Sequence, residues 1–293
     1  MNLESWRKHI DAVIADEGQI LILADENGLP LWELPGLVTM GAPENHLDSG
    51  EVQAEISAQE GSPVIDELVA DGLGVSDKTG KIEPAQGPMR MLIVERAGHP
   101  RRAFFITHCV ASGDSRPSNL TIHGVDLKDS LSFWPGVSIP LEVQKAKWEY
   151  WDTDASGEKY DKTRKLARVP LATKADGYTL RGPARSIIRD FIQDSFDAVN
   201  TLYGWKDDPH AVVEYAGGED TSDDAFLRTT DDYVWDTVAS TAKNRSISIK
   251  VDLWWPGDGP VVVRSSREPL EVEQRTWDRP ILIVRVNTMR EVD

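Results

Sequence analysis

Three apolar runs joined by two short turns constrain this chain more than any other feature. They are "MRMLIVER" (89–96), "RRAFFITHCVAS" (101–112) and "NLTIHGVDL" (119–127), separated by Gly98-His99-Pro100 and by 113–118. Connections this short cannot carry a chain back to the same end of a sheet. The runs are therefore neighbouring antiparallel strands of a meander. Each is apolar enough to need cover on at least one face, so a packed β domain must form around them.

The flanking sequence extends this pattern. Leu3, Trp6, Ile10, Val13 and Ile14 recur at helical spacing, which predicts a helix over 3–16. "QILILA" (19–24) and "LPLWEL" (29–34) flank Asp-Glu-Asn-Gly, a hairpin signal. "GEVQAEI" (50–56) alternates with period two, and "PVIDELVADGLG" (63–74) reads as a helix opened by Pro and closed by Gly. Composition shifts after Pro140: residues 145–170 are charged and aromatic, and read as a hairpin or a linker. A second unit then opens with an apolar helical stripe, Ile187, Ile188, Phe191, Ile192, Phe196 and Val199. "AVVEY" is a short strand and "AGGEDTSDDAFLRTTDD" an acidic loop. Thr230 or Asp231 caps a helix through "YVWDTVASTAKNR". "SISIKVDLWW" and "PVVVRSS" form a hairpin about Pro256–Gly259, and "PILIVRV" is a last strand. The expected fold class is α+β, mostly β, with antiparallel barrel-like domains and a smaller helix-containing domain. The expected domains are 1–144, a charged aromatic hairpin or linker at 145–178, and 179–293.

Charge and composition exclude several functions. The 293 residues carry 49 acids against 32 bases, a net charge of −17. Such a chain lacks the clustered cations that sequence-independent nucleic-acid binding or docking on anionic membranes requires. No apolar run approaches the ~18 residues of a membrane span, so no membrane anchor is expected. The first residues do not read as an export signal. Cys109 is the only cysteine, which rules out an intrachain disulfide and a Cys-based zinc site, and its apolar run makes it a core residue.

Candidate chemistry is sparse. In "DTDASGEKYDKT" (152–163), Asp152, Asp154, Ser156 and Glu158 hold calcium-loop spacing with Gly157 at the sharp turn, but position twelve is Thr163, not a bidentate acid. The same letters fit a hairpin turn. His108 and His123 lie on neighbouring expected strands, where they could face each other. A metal there would need a third ligand, for which Asp126 is the nearby suggestion. "GDSR" (113–116) lacks the strand-to-helix elbow of a serine hydrolase, and no phosphate loop is present. Ten Trp imply packed layers or large contacts. Trp254, Trp255, Trp277, Phe133 and Trp134 are the assembly candidates. The runs near 89–96 and 119–127 and the helix 184–199 are the expected packing and assembly surfaces.

The order "GEVQAEI", "GPMRMLIVER", "RRAFFITHCVAS", "NLTIHGVDLKDSLSFWP" resembles the baseplate-hub, or tail-tip, class of minor tail proteins of long-tailed bacteriophages, especially those of actinobacterial hosts. The element that carries the resemblance is L-T-I-x-G-x-D-L-x-x-x-L, here Leu120, Thr121, Ile122, Gly124, Asp126, Leu127 and Leu131. "DDYVWDTVASTAKNRSISIKVDLWW" is similar to the helix and hairpin that follow in such proteins. The similarity spans roughly 20–135 and 180–265 and leaves 145–170 unmatched. It implies a non-enzymatic virion protein of the tail, made in the host cytoplasm and without a cofactor. Its partners would be itself as a homotrimer, a distal tail protein, other tail-tip proteins and the tape measure protein, with DNA only as passing cargo. No fused peptidase or receptor-binding domain is expected. Two alternatives stay open: a hexameric distal tail adaptor, and a calcium-dependent carbohydrate-binding module.

Overall fold

The structure is a computed structural model that describes residues 2–34, 36–45, 48–57, 63–70, 78–81, 87–114, 117–168 and 178–289. The chain is α+β and mostly β, with 41% strand and 25% helix. It divides into two compact units. The first comprises Met1–Asp129, Val251–Asp258 and Trp277–Leu282; the second comprises Ser130–Lys250, Gly259–Thr276 and Ile283–Asp293. Two late segments thus return to the first unit.

The first unit is built on a seven-stranded antiparallel sheet. In chain order its strands are β1 (Gln19–Ala24), β2 (Pro30–Glu33), β3 (Leu37–Gly41), β4 (Glu51–Ser57), β5 (Met91–Arg96), β6 (Arg102–Ser112) and β7 (Asn119–Asp126). Their spatial order is β2-β1-β5-β6-β7-β4-β3. The meander β5–β6–β7 holds the centre. The two edges, β2 and β3, are consecutive in sequence. From Glu33 to Leu37 is four residue steps, at most about 14 Å of chain. Seven flat strands would separate their edges by about 29 Å. The sheet must therefore curl until its edges approach. It does so without a β2–β3 ladder, so the barrel stays open.

Curling gathers one core. Leu21 and Leu23 of β1, Leu92 and Val94 of β5, Phe104 of β6, Leu120 and Ile122 of β7, and Val52, Ala54 and Ile56 of β4 form one buried cluster. Val64 of the short helix α2 (Pro63–Ile65) joins it, and Leu68 and Val69 of the π-turn Asp66–Ala70 pack against it. Residues 71–74 of the expected helix lie outside the described residues. On β1 and β5 the opposite face is buried as well, at Ile20, Ile22, Met91 and Ile93. Helix α1 (Leu3–Glu17) lies beside these two strands and buries Trp6 and Ile10. That explains why "QILILA" reads as an unbroken apolar run while β4 alternates.

The returning segment is held by a knot of charge and aromatic surface. Asp258 accepts from Arg7 Nη2 at 2.6 Å and from Arg101 Nη1 at 2.8 Å, and also from the Trp255 backbone N–H at 2.8 Å. The Arg101 guanidinium stacks 3.7 Å from the centre of the Trp255 ring. Trp255 is fully buried and its indole N–H donates to the Gly28 carbonyl at 2.9 Å. Gly28 sits at φ +82, and an added Cβ would come within 2.8 Å of Leu253, so the turn needs glycine twice over. Burial works to raise the Asp258 carboxyl, but Arg101 and Arg7 outweigh it and hold it below the ordinary carboxylate range.

The second unit is organised by α4 (Ala184–Tyr203), closed by Gly204 in the left-handed region. Its apolar stripe Ile187, Ile188, Phe191, Ile192 and Phe196 is buried. Around it lie α3 (Pro140–Lys145), the hairpin β8 (Trp148–Thr153) and β9 (Lys159–Ala167), the pair β10 (Thr179–Pro183) and β12 (Asp224–Arg228), β11 (Ala211–Val213) and α5 (Val234–Asn244). β13 (Ile247–Trp254) and β16 (Ile281–Thr288) run from one unit into the other and share a sheet with β11. β14 (Val261–Ser266) pairs with β15 (Glu271–Arg275). The expected hairpin between the runs at 247–254 and 261–266 does not form. The Asp258 turn instead leads into β14, which pairs with β15.

Two further expectations change. The acidic loop contains a strand, β12, whose alternating Ala225 and Leu227 are buried. Neither Thr230 nor Asp231 caps α5. Tyr233 holds the N-cap position, while Asp231 adopts φ 61 and its carboxylate accepts from the Ser138 N–H at 2.8 Å.

Because Asp258 is held below the unfolded carboxyl value of about 3.9, its stabilisation is complete above roughly pH 4 and is lost as pH falls through the folded value. Urea midpoints between about pH 6 and pH 3 are expected to fall less steeply in Asp258→Asn than in the wild type. Equal slopes would show that this carboxyl is not the one responsible. Trp255→Ala is expected to cost about 3–5 kcal/mol in the same melts.

Candidate functional site

The densest ionisable cluster lies in the second unit. Asp190, Asp194 and Asp197 fall at i, i+4 and i+7, on one face of α4. Arg264 of β14 meets them, with Nη2 2.6 Å from Asp194 and 2.8 Å from Asp197, and Nη1 3.7 Å from Asp190. Arg267 reaches the other Asp194 oxygen at 3.2 Å, and the Tyr178 hydroxyl donates to it as well. Tyr215 donates to Asp190 at 2.9 Å. The Arg264 and Asp194 side chains are 4% and 2% exposed.

Electrostatics make this cluster a clamp. Burial works against the Arg264 charge, but the surrounding acidic groups outweigh it and raise its pKa. Burial is also the main cause that raises Asp190 and both phenols, Tyr178 and Tyr215. Asp194 accepts from Arg264, Arg267 and Tyr178 at once, which engages both of its oxygens. Other α4 side chains tie down backbone in the same way. Gln193 accepts from the Val213 N–H at 2.8 Å, and Arg189 donates to the Ala216 and Val286 carbonyls. At the start of α4, Asp220 accepts from the Ser186 N–H and hydroxyl, where an anion suits a helix N-terminus. The i, i+4, i+7 acids inside an apolar stripe are a signal visible in the sequence. Their partner Arg264 is not, because it lies some seventy residues away.

The L-T-I-x-G-x-D-L element is engaged throughout. Leu120, Ile122, Leu127 and Leu131 are buried. Gly124 has no room for a side chain, since a Cβ would sit 2.5 Å from the Phe105 carbonyl oxygen. Asp126 accepts from the Gly50 N–H at 2.6 Å and the Lys128 N–H at 3.0 Å. It is thereby held at the β4 edge and does not join the two histidines. His108 and His123 are register partners, and their rings stack 4.3 Å apart and 6° from parallel. Cys109 packs against the core, and burial pushes its thiol up to about 11. Of "GDSR", residues 115–116 lie outside the described residues.

The assembly candidates separate into two groups. Trp254, Trp255 and Trp277 are buried side chains of the first unit, with Trp254 and Trp277 edge to face at 5.3 Å, and present no docking surface. Trp134 is half-buried against Phe196. Phe133 is 72% exposed. Of the expected surfaces at 89–96, 119–127 and 184–199, β5 and β7 are central strands, β7 with alternating buried and half-buried residues, and most of α4 is buried. Apolar strands and stripes signal burial, and the sequence does not say whether the cover comes from the same chain or another.

Phe133 is rigidly presented. The Phe133 and Trp134 N–H groups return to the Ser130 carbonyl. Gly136 donates to the Asp232 carbonyl at 2.6 Å, and Val234 donates to Trp134 at 2.9 Å. Val137 donates to the Ser195 hydroxyl, and Pro135 bridges to Tyr233. Two exposed aromatics, Phe133 and Tyr233, thus stand on adjoining, tied-down segments.

The calcium-spaced segment forms the β8–β9 turn. One Asp154 oxygen accepts from the Ser156 N–H and hydroxyl and from the Glu158 N–H, all within 3.0 Å. The Ser156 hydroxyl is the largest cause of the lowered Asp154 pKa. Asp152 takes the Thr163 hydroxyl. Among the described residues no three metal-ligating side chains converge, and no helix is long and apolar enough to cross a membrane. No protein-family model matches the chain, and neither does any curated protein.

Removing one partner of the buried clamp is expected to be costly. Arg264→Ala should lose about 3–5 kcal/mol, whereas replacing Arg264 and Asp194 together with apolar residues of similar size should recover much of it. Equal losses in the single and double variants, read from urea melts, would contradict the clamp.

Proposed function

We propose that this chain is a structural subunit of a phage tail tip, a minor tail protein of the hub class that self-associates, with three copies forming a ring beneath the tail tube. Its product is an interface. The observation that carries this proposal is Phe133, a large aromatic side chain held out to solvent on a backbone fixed by six hydrogen bonds and one bridge partner. Exposed aromatics are what interface hot spots are made of, and a backbone already fixed loses little further freedom on binding. Two further features support the same reading. Leu120, Ile122, Gly124 and Asp126, among the residues that carry the tail-tip resemblance, are taken up in packing or hydrogen bonding on β7. The densest cluster of ionisable groups is spent on joining α4 to β14.

In this role the distal tail protein, the tape measure protein and other tip proteins are the neighbours, and DNA is cargo. Six copies in place of three would instead describe the distal tail adaptor.

Phe133→Ser tests the proposal. As a surface change it should alter stability by no more than about 0.5 kcal/mol. As the loss of a hot spot it should weaken self-association about 30-fold or more, measured by sedimentation velocity. An unchanged dissociation constant would remove Phe133 from the interface and the proposal's main support with it.

A further inference from the structure

The β8–β9 hairpin differs in charge from the rest of the chain. Residues 145–168 contain seven Lys or Arg and five Asp or Glu, a net +2, so the remainder carries −17 − 2 = −19. The cations concentrate on and just after β9, as Lys159, Lys162, Arg164, Lys165 and Arg168, all exposed, with Asp161 the one acid among them. Elsewhere arginines are committed: Arg7, Arg90, Arg101, Arg264, Arg267 and Arg285 each meet a carboxylate. Among the described residues none of the five hairpin cations does. Arg164, Lys165 and Arg168 lie over the hairpin's own aromatic rings, Tyr160, Trp148 and Trp151. β8 and β9 pair only with each other, and Tyr150 is 76% exposed. A two-stranded hairpin alone in water is marginally stable. This one rests on α4 through Trp148, 5.5 Å from the Tyr203 ring, and leaves its cations and Tyr150 as an exposed basic and aromatic face on an acidic protein.

An excess of acids lies at the start of α5 and of β12: Asp223, Asp224, Asp232 and Asp236 are exposed beside Phe226 and Tyr233, with Arg181, Arg228 and Arg245 as exposed bases among them and Arg245 3.9 Å from Asp223. β12 pairs with β10 on one side only. We infer that the β8–β9 hairpin of one copy docks on the β12–α5 face of a second copy, Lys and Arg against the aspartates and Tyr150 against the aromatics. This deepens the self-assembly reading and rests on it. The contact joins two different patches, so it is head-to-tail, the kind that closes into a ring when the rotation between copies allows. Cations packed against Phe226 and Tyr233 would add cation–π attraction to the ion pairs.

A charge swap tests the pairing. One variant carries K159E, K162E, R164E and K165E; the other carries D223K, D224K, D232K and D236K. All eight side chains are exposed, and a K159Q/K162Q/R164Q/K165Q variant serves if charge reversal disturbs the hairpin. Thermal melts confirm folding. Each reversed variant alone is expected to self-associate on the order of 100-fold more weakly than the wild type, and an equimolar mixture to regain a one-to-one complex. Association of the hairpin variant within about threefold of the wild type, with Phe133→Ser still deficient, overturns the hairpin contact and leaves self-assembly standing. A mixture that forms no complex overturns the pairing with the β12–α5 face. A wild-type protein that stays monomeric at every concentration overturns both.

Discussion

The first unit depends on a short piece of chain. β2 and β3 are the opposite edges of a seven-stranded sheet, yet only residues 34–36 separate them. No flat sheet satisfies that link, so the sheet curls, and the strands β1 and β4 come to share one core. The edges β2 and β3 do not pair with each other. Of the central meander, β5 is buried on both faces over Met91–Val94, while the far half of β6 exposes His108 and Val110.

Charge is used in two distinct ways in this acidic protein. Arg101 and Arg7 close on Asp258 to hold a returning segment, and Arg264 closes on Asp190, Asp194 and Asp197 to hold a helix to a strand. In both clamps the partners lie far apart in sequence, and Arg264 and Asp194 are almost wholly removed from water, where an ion pair must be well satisfied to be worth its desolvation. The β9 cations are the opposite case, exposed and without carboxylate partners among the described residues. Clamps set the fold, and free charge of the minority sign is left to meet another surface.

Local signals in the sequence specify local elements. The Asp-Glu-Asn-Gly turn, the β5–β6–β7 meander, the α4 stripe and the Asp154 turn all form where the letters place them. What the letters conceal is long-range. Trp255 reads equally well as core or interface, and only Gly28 and Arg101, more than 150 residues away, decide it for core. β12 hides in an acidic loop because its buried residues, Ala225 and Leu227, are two among many polar letters. β3 leaves little trace because it is short and mostly exposed. Phe133 alone among the five assembly candidates stands fully at the surface, and its neighbour in sequence, Trp134, turns inward onto Phe196.

In the function proposed, what this chain supplies is contact. Tied-down exposed aromatics and a basic hairpin are the features this view singles out. The most direct measurement is the native mass of the purified protein by native mass spectrometry, across concentration at low ionic strength. The account predicts a species of three subunits that dissociates on dilution to the 32.6 kDa chain. A mass that remains that of one chain at every concentration would contradict it.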